Sequence, residues 1–298
     1  MISKNSSLNI KALAIIMVLV GHLIGVNKLS VPIPFIDIAT FGVSLFLFIS
    51  GYGLVKSYES NGLKNFFIKK IKSVYMPFAI ATVLVGMAKG YFSDRWFEII
   101  KTILFINPKL PIDGTMWYIY FIAVWYILFY VSFRFLSNNL LRILFLSVSS
   151  VLIYKIPFSQ SYDVASFLFS FHAFTFTLGV AVAMCGEYKK ELMLALGCMC
   201  MVVFLYLFYL HFLSYDPLNH VMASLISAPA IIFIVSYFDV KIKILSFIGG
   251  ISYEVYLFEG VLRRIDYTSN EITNCLMFFL IVGCIAFSFK SFIKNYIK

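Results

Sequence analysis

The sequence predicts an all-α, polytopic integral membrane protein, in which about ten transmembrane helices form one bundle. Of its 298 residues, 61% are apolar and 13% are charged. Soluble domains carry about 45–50% apolar and about 25% charged residues, so the composition excludes a water-soluble domain. One transmembrane span needs about 20 apolar residues, so the chain is long enough for about ten spans joined by short connections. We expect a single membrane-embedded domain over residues 1–298.

Ten apolar runs, separated by polar segments, predict the individual spans. They are Leu8–Val26, Phe35–Val55, Val74–Tyr91, Met116–Phe133, Leu140–Tyr154, Val164–Met184, Leu192–Leu213, Val221–Phe238, Leu245–Leu262 and Ile272–Phe289. An even number of spans places both termini on one side. Of the 24 Lys and Arg residues, 16 then fall on the side of the termini and 8 on the other. Because cytoplasmic loops carry the excess of cations, we expect both termini in the cytoplasm and the spans in the cell membrane.

Two short segments suit the membrane surface better than its interior. Trp96–Pro108 is apolar at helical spacing but carries Glu98 and Lys101, which favours a helix in the outer interface. Asn65–Ser73 is similar in character and rich in lysine, so it is expected along the inner surface, where anionic headgroups attract cations.

The cysteines and the net charge exclude several other classes. The five cysteines lie inside apolar runs without a Cys-x-x-Cys pair, which predicts free thiols and neither a disulfide framework nor a zinc site. No metal ligand set and no permanently bound cofactor are expected. The net charge of +10 is spread over short gaps between apolar runs. This distribution is typical of membrane orientation, so membrane lipids, and not nucleic acids, are the expected partners.

Two ionisable residues share one face of the first span. Lys11 and His22 are eleven residues apart, so they lie within about 20° of each other and about 16 Å apart along a helix. Polar groups at membrane depth are costly and therefore functional candidates. The alternatives are a snorkelling anchor for Lys11 and a hydrogen-bonding role between helices for His22.

The other histidines have simpler interpretations. His172 and His211 lie within predicted spans, where they favour hydrogen bonds that bridge helices. His220 lies at the edge of a loop and carries little information.

The two acidic residues of the ninth span do not form a catalytic carboxylate pair. Glu254 and Glu259 are five residues apart, which turns them about 140° away from each other on a helix. We expect a structural role for Glu259, either in hydrogen bonding between helices or at the outer interface, where it can form an ion pair with Arg263 four residues later.

Five motifs in chain order are similar to those of one known family. They are Lys11-ALAIIMVLVG-His22, Gly42-VSLFLFI-Ser50-Gly51-Tyr52, Lys69-Lys70-I-Lys72-SV-Tyr75-M-Pro77, Gly114-TM-Trp117-Tyr118 and Gly249-GI-Ser252-Tyr253-EV-Tyr256-Leu257. Together they resemble acyltransferase family 3, polytopic membrane proteins that O-acylate sugars of surface polysaccharides and related glycans. Three positions depart from the family pattern. Lys11 replaces the usual arginine, Ser73 replaces a basic residue, and Glu259 stands where histidine often follows Tyr-Leu.

The resemblance implies transfer of an acyl group, most often acetyl, from cytoplasmic acyl-CoA to a hydroxyl of a glycan or lipid-linked sugar. Acyl-CoA is then a donor substrate. His22 is implied as the catalytic residue, either as a general base or as a covalent acyl carrier. The residues implied in donor binding are Lys11, Lys69, Lys70 and Lys72. Those implied in lining the site are Ser50, Gly51, Tyr52, Trp117, Tyr253 and Glu254.

Two other functions remain open at this point. About ten spans with a few buried polar groups are also typical of a transporter or flippase for a lipid-linked sugar, although the chain lacks the two related halves that many carriers have. A membrane sensing domain with the same fold and no catalysis is the other alternative, favoured by the departures at Lys11 and Glu259.

The predicted topology is tested by a reporter that is active only outside the cytoplasm, fused after Lys298. We expect it to stay inactive, because the cation split places the C-terminus in the cytoplasm. The same reporter fused into the loop after the first predicted span, next to Lys28, is the matched control and is expected to be active. The opposite pair of results would invert the topology.

Overall fold

The computed structural model describes residues 2–31, 37–106, 110–155, 164–186, 189–214 and 216–296, and the regular elements among them are all helices. The helices are α1 Lys4–Gly25, α2 Ile38–Asn61, α3 Phe66–Ala88, α4 Tyr91–Asp94, α5 Trp96–Ile103, α6 Trp117–Phe135, α7 Asn139–Lys155, α8 Val164–His172, α9 Thr175–Met184, α10 Lys190–Leu213, α11 Pro217–Phe238, α12 Lys243–Leu262 and α13 Glu271–Tyr296. A 3₁₀ turn, Gly114–Met116, leads into α6.

Eight of these helices are long and apolar enough to cross a membrane. They are α1, α2, α3, α6 with its preceding turn, α10, α11, α12 and α13. The all-α, polytopic fold class is therefore confirmed. The fifth and sixth predicted spans contain shorter helices, because α7 has 17 residues and a turn at Ala173 and Phe174 separates α8 from α9. With eight spans instead of ten, both termini still lie on one side of the membrane. Lys155 is the only cation that then changes sides, because it lies between the fifth and sixth predicted spans.

The third span differs from its prediction. Asn65–Ser73 was expected as a separate surface helix, with a span over Val74–Tyr91, but one helix runs from Phe66 to Ala88. A π-helical turn over Ile71–Tyr75 lies inside it. The turn precedes Pro77, which has no N–H to donate to the preceding turn of an α-helix. The lysines of the predicted surface segment therefore lie in the first turns of the span.

The segment after the third span contains the predicted amphipathic helix. In α5, Ile99 and Thr102 are buried, whereas Trp96 and Ile100 are exposed on the opposite side. The hydroxyl of Tyr120 donates to the carbonyl of Thr102 at 2.7 Å and attaches this helix to the bundle. Its place in the outer interface stays a prediction. Two predicted boundaries, Phe35 and Pro108, lie outside the described residues.

Glycines at helix crossings allow the helices around α2 to approach closely. A Cβ on Gly51 would collide with the carbonyl oxygen of Phe176 in α9, and a Cβ on Gly179 with the carbonyl oxygen of Phe48. The same arrangement brings Gly249 of α12 against the backbone of α1 at Leu8. Helix α1 is thereby packed between α2 and α12, so that its polar residues face those of its neighbours.

All five cysteines are free. This confirms the prediction of free thiols. Cys185, Cys198 and Cys284 are exposed and Cys200 and Cys275 are partly buried.

The crossing of α2 and α9 predicts the effect of adding one methyl group. We expect Gly51→Ala to lower the free energy of unfolding by about 1–3 kcal/mol, because a Cβ there overlaps backbone that cannot rotate away. Gly283→Ala is the matched control, since a Cβ at Gly283 has open space around it. Thermal unfolding of the purified proteins in detergent measures both. Equal unfolding temperatures for the two variants would contradict the close crossing.

Candidate functional site

A histidine and a glutamate meet where α1 and α12 end. Nδ1 of His22 lies 2.8 Å from Oε1 of Glu259, and Oε2 of Glu259 lies 3.5 Å from Nη1 of Arg263. The helices run parallel here, so their last turns lie at the same end of the bundle. Glu259 is fully buried, whereas the His22 side chain is 24% exposed. We refer to His22 and Glu259 as the dyad.

The dyad has the geometry of an oriented general base. When Nδ1 donates its proton to the Glu259 carboxylate, Nε2 carries the lone pair. Among the described residues, Nε2 of His22 has no hydrogen-bond partner, so this nitrogen is available to an incoming group. A carboxylate behind the imidazole also stabilises the imidazolium that forms when Nε2 takes a proton.

A second carboxyl group lies against the dyad. Oδ1 of Asp113 accepts hydrogen bonds from the backbone N–H of Thr115 at 2.9 Å and from its hydroxyl at 2.8 Å. Asp113 contacts the backbone of Gly260, where a Cβ would collide with the carboxyl group. Burial, and next the charge of Glu259, raise the pKa of Asp113 above its usual value. Asp113 is therefore protonated more readily than an exposed aspartate.

A cavity of about 420 Å³ lies on the side of the dyad nearer the chain termini. Six helices line it: α1, α2, α3, α6, α12 and α13. Its charged lining residues are Lys11, Lys70, Lys290 and Glu254, and its hydroxyl groups come from Ser50, Ser57, Ser73, Ser252, Tyr118, Tyr126, Tyr253 and Tyr256. We refer to it as the basic cavity.

The basic cavity carries more positive charge than its own carboxylate balances. Lys290 donates to the carbonyl of Gly250 and lies 4.0 Å from Oε2 of Glu254. Lys70 lies over the ring of Tyr126 at 4.5 Å. Lys11 has no ion pair with any described residue. Three lysines against one glutamate in a partly enclosed space attract an anion such as a phosphate.

The π-helical turn of α3 contributes directly to the basic cavity. Ser73 and Val74 lie in this turn and line the cavity. The carbonyl of Val74 accepts a hydrogen bond from the hydroxyl of Tyr253 at 2.7 Å. The turn therefore attaches α3 to α12 at the position where Tyr253 lines the cavity.

The dyad lies next to the basic cavity but does not line it. Val18 lines the cavity and precedes His22 by four residues, or about 6 Å along α1. Tyr256 lines it from α12, one turn before Glu259. The two regions therefore follow each other along the same pair of helices.

Five of the predicted donor-binding and lining residues line the basic cavity. They are Lys11, Lys70, Ser50, Tyr253 and Glu254. The other five lie elsewhere. Lys69 and Lys72 are exposed, because successive positions on α3 point in different directions. Gly51 faces α9 at the helix crossing described above.

The remaining two predicted lining residues, Tyr52 and Trp117, make contacts outside the basic cavity. The Tyr52 hydroxyl accepts a hydrogen bond from the backbone N–H of Ile2 at 3.2 Å, so it holds the N-terminal segment. Trp117 stacks on His172 with ring centroids 5.6 Å apart, and its neighbour Tyr118 lines the cavity instead.

His172 and His211 both bridge helices, as predicted. Nδ1 of the fully buried His172 lies 3.2 Å from Oγ of Ser44 in α2 and 3.4 Å from Oγ of Ser224 in α11. Nε2 of His211 lies 2.7 Å from Oδ2 of Asp37, which joins α10 to the start of α2.

Sequence reasoning missed three charged residues of the site. The ion pair of Glu259 with Arg263 is present, but Glu259 is fully buried and also contacts His22. Asp113 lies in a loop, and Lys290 lies near the end of the last span, among cations that resemble a surface cluster. One available signal was position along the spans, since His22 and Glu259 both lie near the ends, opposite to the chain termini, of two spans that run in the same direction.

Comparisons with known proteins identify the family of the chain. The family model described as an acyltransferase domain, that of acyltransferase family 3, matches residues 5–294, nearly the whole chain. Neither the curated proteins nor the solved structures contain a match to the chain. The matched range includes both the dyad and the residues of the basic cavity.

Proposed function

The chain belongs to acyltransferase family 3, and from this premise we propose that it is a membrane O-acyltransferase acting on glycans. It moves an acyl group, with acetyl as the expected group, from cytoplasmic acyl-CoA to a hydroxyl of a cell-surface or lipid-linked glycan. The observation that carries this proposal is the dyad, an oriented imidazole beside a cavity with excess positive charge.

The basic cavity is the proposed donor site. Acyl-CoA carries several phosphates, and Lys11, Lys70 and Lys290 offer ammonium groups to them. Lys11 and His22 are about 16 Å apart along α1. A donor whose phosphates bind near Lys11 therefore extends along the cavity so that its thioester approaches His22. The donor is a substrate and is not retained as a cofactor.

The proposed reaction uses Nε2 of His22 as the base. Nε2 takes the proton of the acceptor hydroxyl as the hydroxyl oxygen attacks the thioester carbonyl carbon. The new C–O ester bond forms and the C–S bond breaks, and the imidazolium returns its proton to the departing CoA thiolate. Glu259 holds the ring and stabilises the imidazolium between these steps. A covalent acyl group on Nε2 is the alternative route.

The proposed setting is the cell membrane, with both termini in the cytoplasm. The cation split supports this orientation, because Lys11, Lys70 and Lys290 then lie at the cytoplasmic end, where acyl-CoA is found. The acceptor approaches from the opposite end, on which the dyad lies. Membrane lipids surround the bundle, and no nucleic-acid partner is expected.

His22 is tested by substitution and by an assay of acyl transfer with purified protein and a panel of glycans. We expect His22→Ala and His22→Gln to lower kcat by at least about 100-fold, because neither side chain accepts the proton. Glu259→Gln keeps a hydrogen-bond acceptor for Nδ1, so a smaller loss is expected. Binding of acyl-CoA to His22→Gln is the control for folding. Acyl transfer by His22→Gln at the wild-type rate would show that His22 is structural.

Lys11 is tested through the dependence of the rate on acyl-CoA concentration. We expect Lys11→Ala to raise KM for acyl-CoA with little change in kcat, because a phosphate contact contributes equally to the ground and transition states. Lys11→Arg should retain or improve donor binding, since guanidinium binds phosphate oxygens in pairs. Lys64→Ala removes an exposed cation at the same end and is the matched control. An unchanged KM in Lys11→Gln would identify Lys11 as a membrane anchor.

A further inference from the structure

Three helices bring potential metal ligands together at the end of the bundle opposite to the chain termini. Asp37 precedes α2, His211 lies in the last turn of α10, and His220 lies in the first turn of α11. One ligand atom from each residue lies within 4.8 Å of the others. We propose that Asp37, His211 and His220 bind one divalent transition-metal ion, with Zn²⁺ as the preferred metal.

The two histidines approach different oxygens of the same carboxylate. Nε2 of His211 lies 2.7 Å from Oδ2 of Asp37, and Nε2 of His220 lies 3.8 Å from Oδ1. Their ring centroids are 4.9 Å apart at an interplanar angle of 68°. The rings therefore converge on Asp37 from two directions and do not stack on each other.

His220 supplies an independent indication of a ligand. Its side chain is only 8% exposed, and neither ring nitrogen has a hydrogen-bond partner among the described residues. A buried imidazole without a partner is costly. The 3.8 Å gap between Nε2 and the Asp37 oxygen is too long for a hydrogen bond. It suits a bridging ion, because zinc binds about 2.0–2.1 Å from nitrogen and about 2.0–2.2 Å from a carboxylate oxygen.

The orientation of Asp37 agrees with a role as a ligand. An aspartate just before a helix usually accepts a hydrogen bond from the first turn. Asp216 does so before α11, since its carboxylate accepts from the N–H of Leu218 at 2.9 Å. Asp37 makes no such bond before α2, and its two oxygens face His211 and His220 instead.

The ligand set determines the choice of metal. Two imidazole nitrogens and one carboxylate oxygen suit zinc and neighbouring transition metals, whereas Mg²⁺ and Ca²⁺ prefer oxygen ligands. Three protein ligands leave one tetrahedral position for water. When the ion binds, it replaces the proton between His211 and Asp37, which is released.

The proposed metal site is separate from the dyad and is expected to stabilise the bundle. Its ligands come from α2, α10 and α11, whereas the dyad lies on α1 and α12. A bound ion would fasten the α10–α11 hairpin to the start of α2. Phe171 of α8 packs against the ring of His220 with centroids 4.6 Å apart, which helps to fix its orientation. The expected effect is therefore on the stability of the bundle.

The experiment measures Zn²⁺ binding to the full chain in detergent after treatment with a chelator. We expect calorimetry and metal analysis to give one Zn²⁺ per chain, and Zn²⁺ to raise the temperature of thermal unfolding, because binding stabilises the folded state. Mg²⁺ should not bind stoichiometrically and should leave the unfolding temperature unchanged. Asp37→Asn, His211→Gln and His220→Gln should each raise the Kd for Zn²⁺ by at least about tenfold. His22→Gln removes an imidazole outside the cluster and is the matched control, with wild-type affinity.

Three outcomes would overturn the proposal. The first is wild-type protein that binds no stoichiometric Zn²⁺. The second is wild-type affinity in both Asp37→Asn and His220→Gln, which would place the zinc elsewhere. The third is a lower unfolding temperature in His211→Gln with no response of the wild type to Zn²⁺, which would identify only an ion pair with Asp37. If His220→Gln does not fold, the milder Asp37→Asn decides.

Discussion

The contact between His22 and Glu259 is the interaction on which the candidate site depends. A fully buried carboxylate in an apolar bundle is stable only when opposite charges or hydrogen-bond donors surround it. Glu259 has such groups on both oxygens, with His22 at 2.8 Å and Arg263 at 3.5 Å. These two partners hold the Glu259 carboxylate in place. Its contact with Nδ1 in turn fixes the direction of the His22 ring. The stability of the buried carboxylate and the orientation of the His22 ring therefore depend on the same contact.

This contact depends in turn on how closely α1 and α12 pack. Gly249 meets the backbone of Leu8, and a side chain there would push the two helices apart. Further along the same pair of helices, Gly260 leaves room for the carboxyl group of Asp113 beside Glu259. Small residues at helix crossings replace the hydrophobic driving force that lipid does not provide. The glycines thus determine the distance at which the polar groups of the site meet.

The sequence predicts the helices well because their signal is local. Apolar runs of about 20 residues identify the spans, and the spacing of Lys11 and His22 predicts that they share one face of α1. In the structure Lys11 lines the basic cavity and His22 contacts Glu259 of α12. The partner of His22 was not predictable in this way, since Glu259 is 237 residues away and its local pattern indicates a pair with Arg263. The contact between Asp37 and His211 was not predictable for the same reason, since 174 residues separate them. Gly51 was assigned to the site because a motif does not reveal which neighbour a glycine faces.

The separation of the basic cavity from the dyad is consistent with transfer between the two sides of a membrane. The lysines of the cavity lie toward the chain termini, whereas the dyad lies near the opposite ends of α1 and α12. A charged nucleotide costs much more free energy to move through an apolar bundle than an uncharged acyl group does. In the proposed reaction, the phosphates of the donor remain among the lysines while the thioester approaches His22. The partly exposed side of His22 is where the proposed acceptor would bind, at the end of the bundle opposite to the lysines.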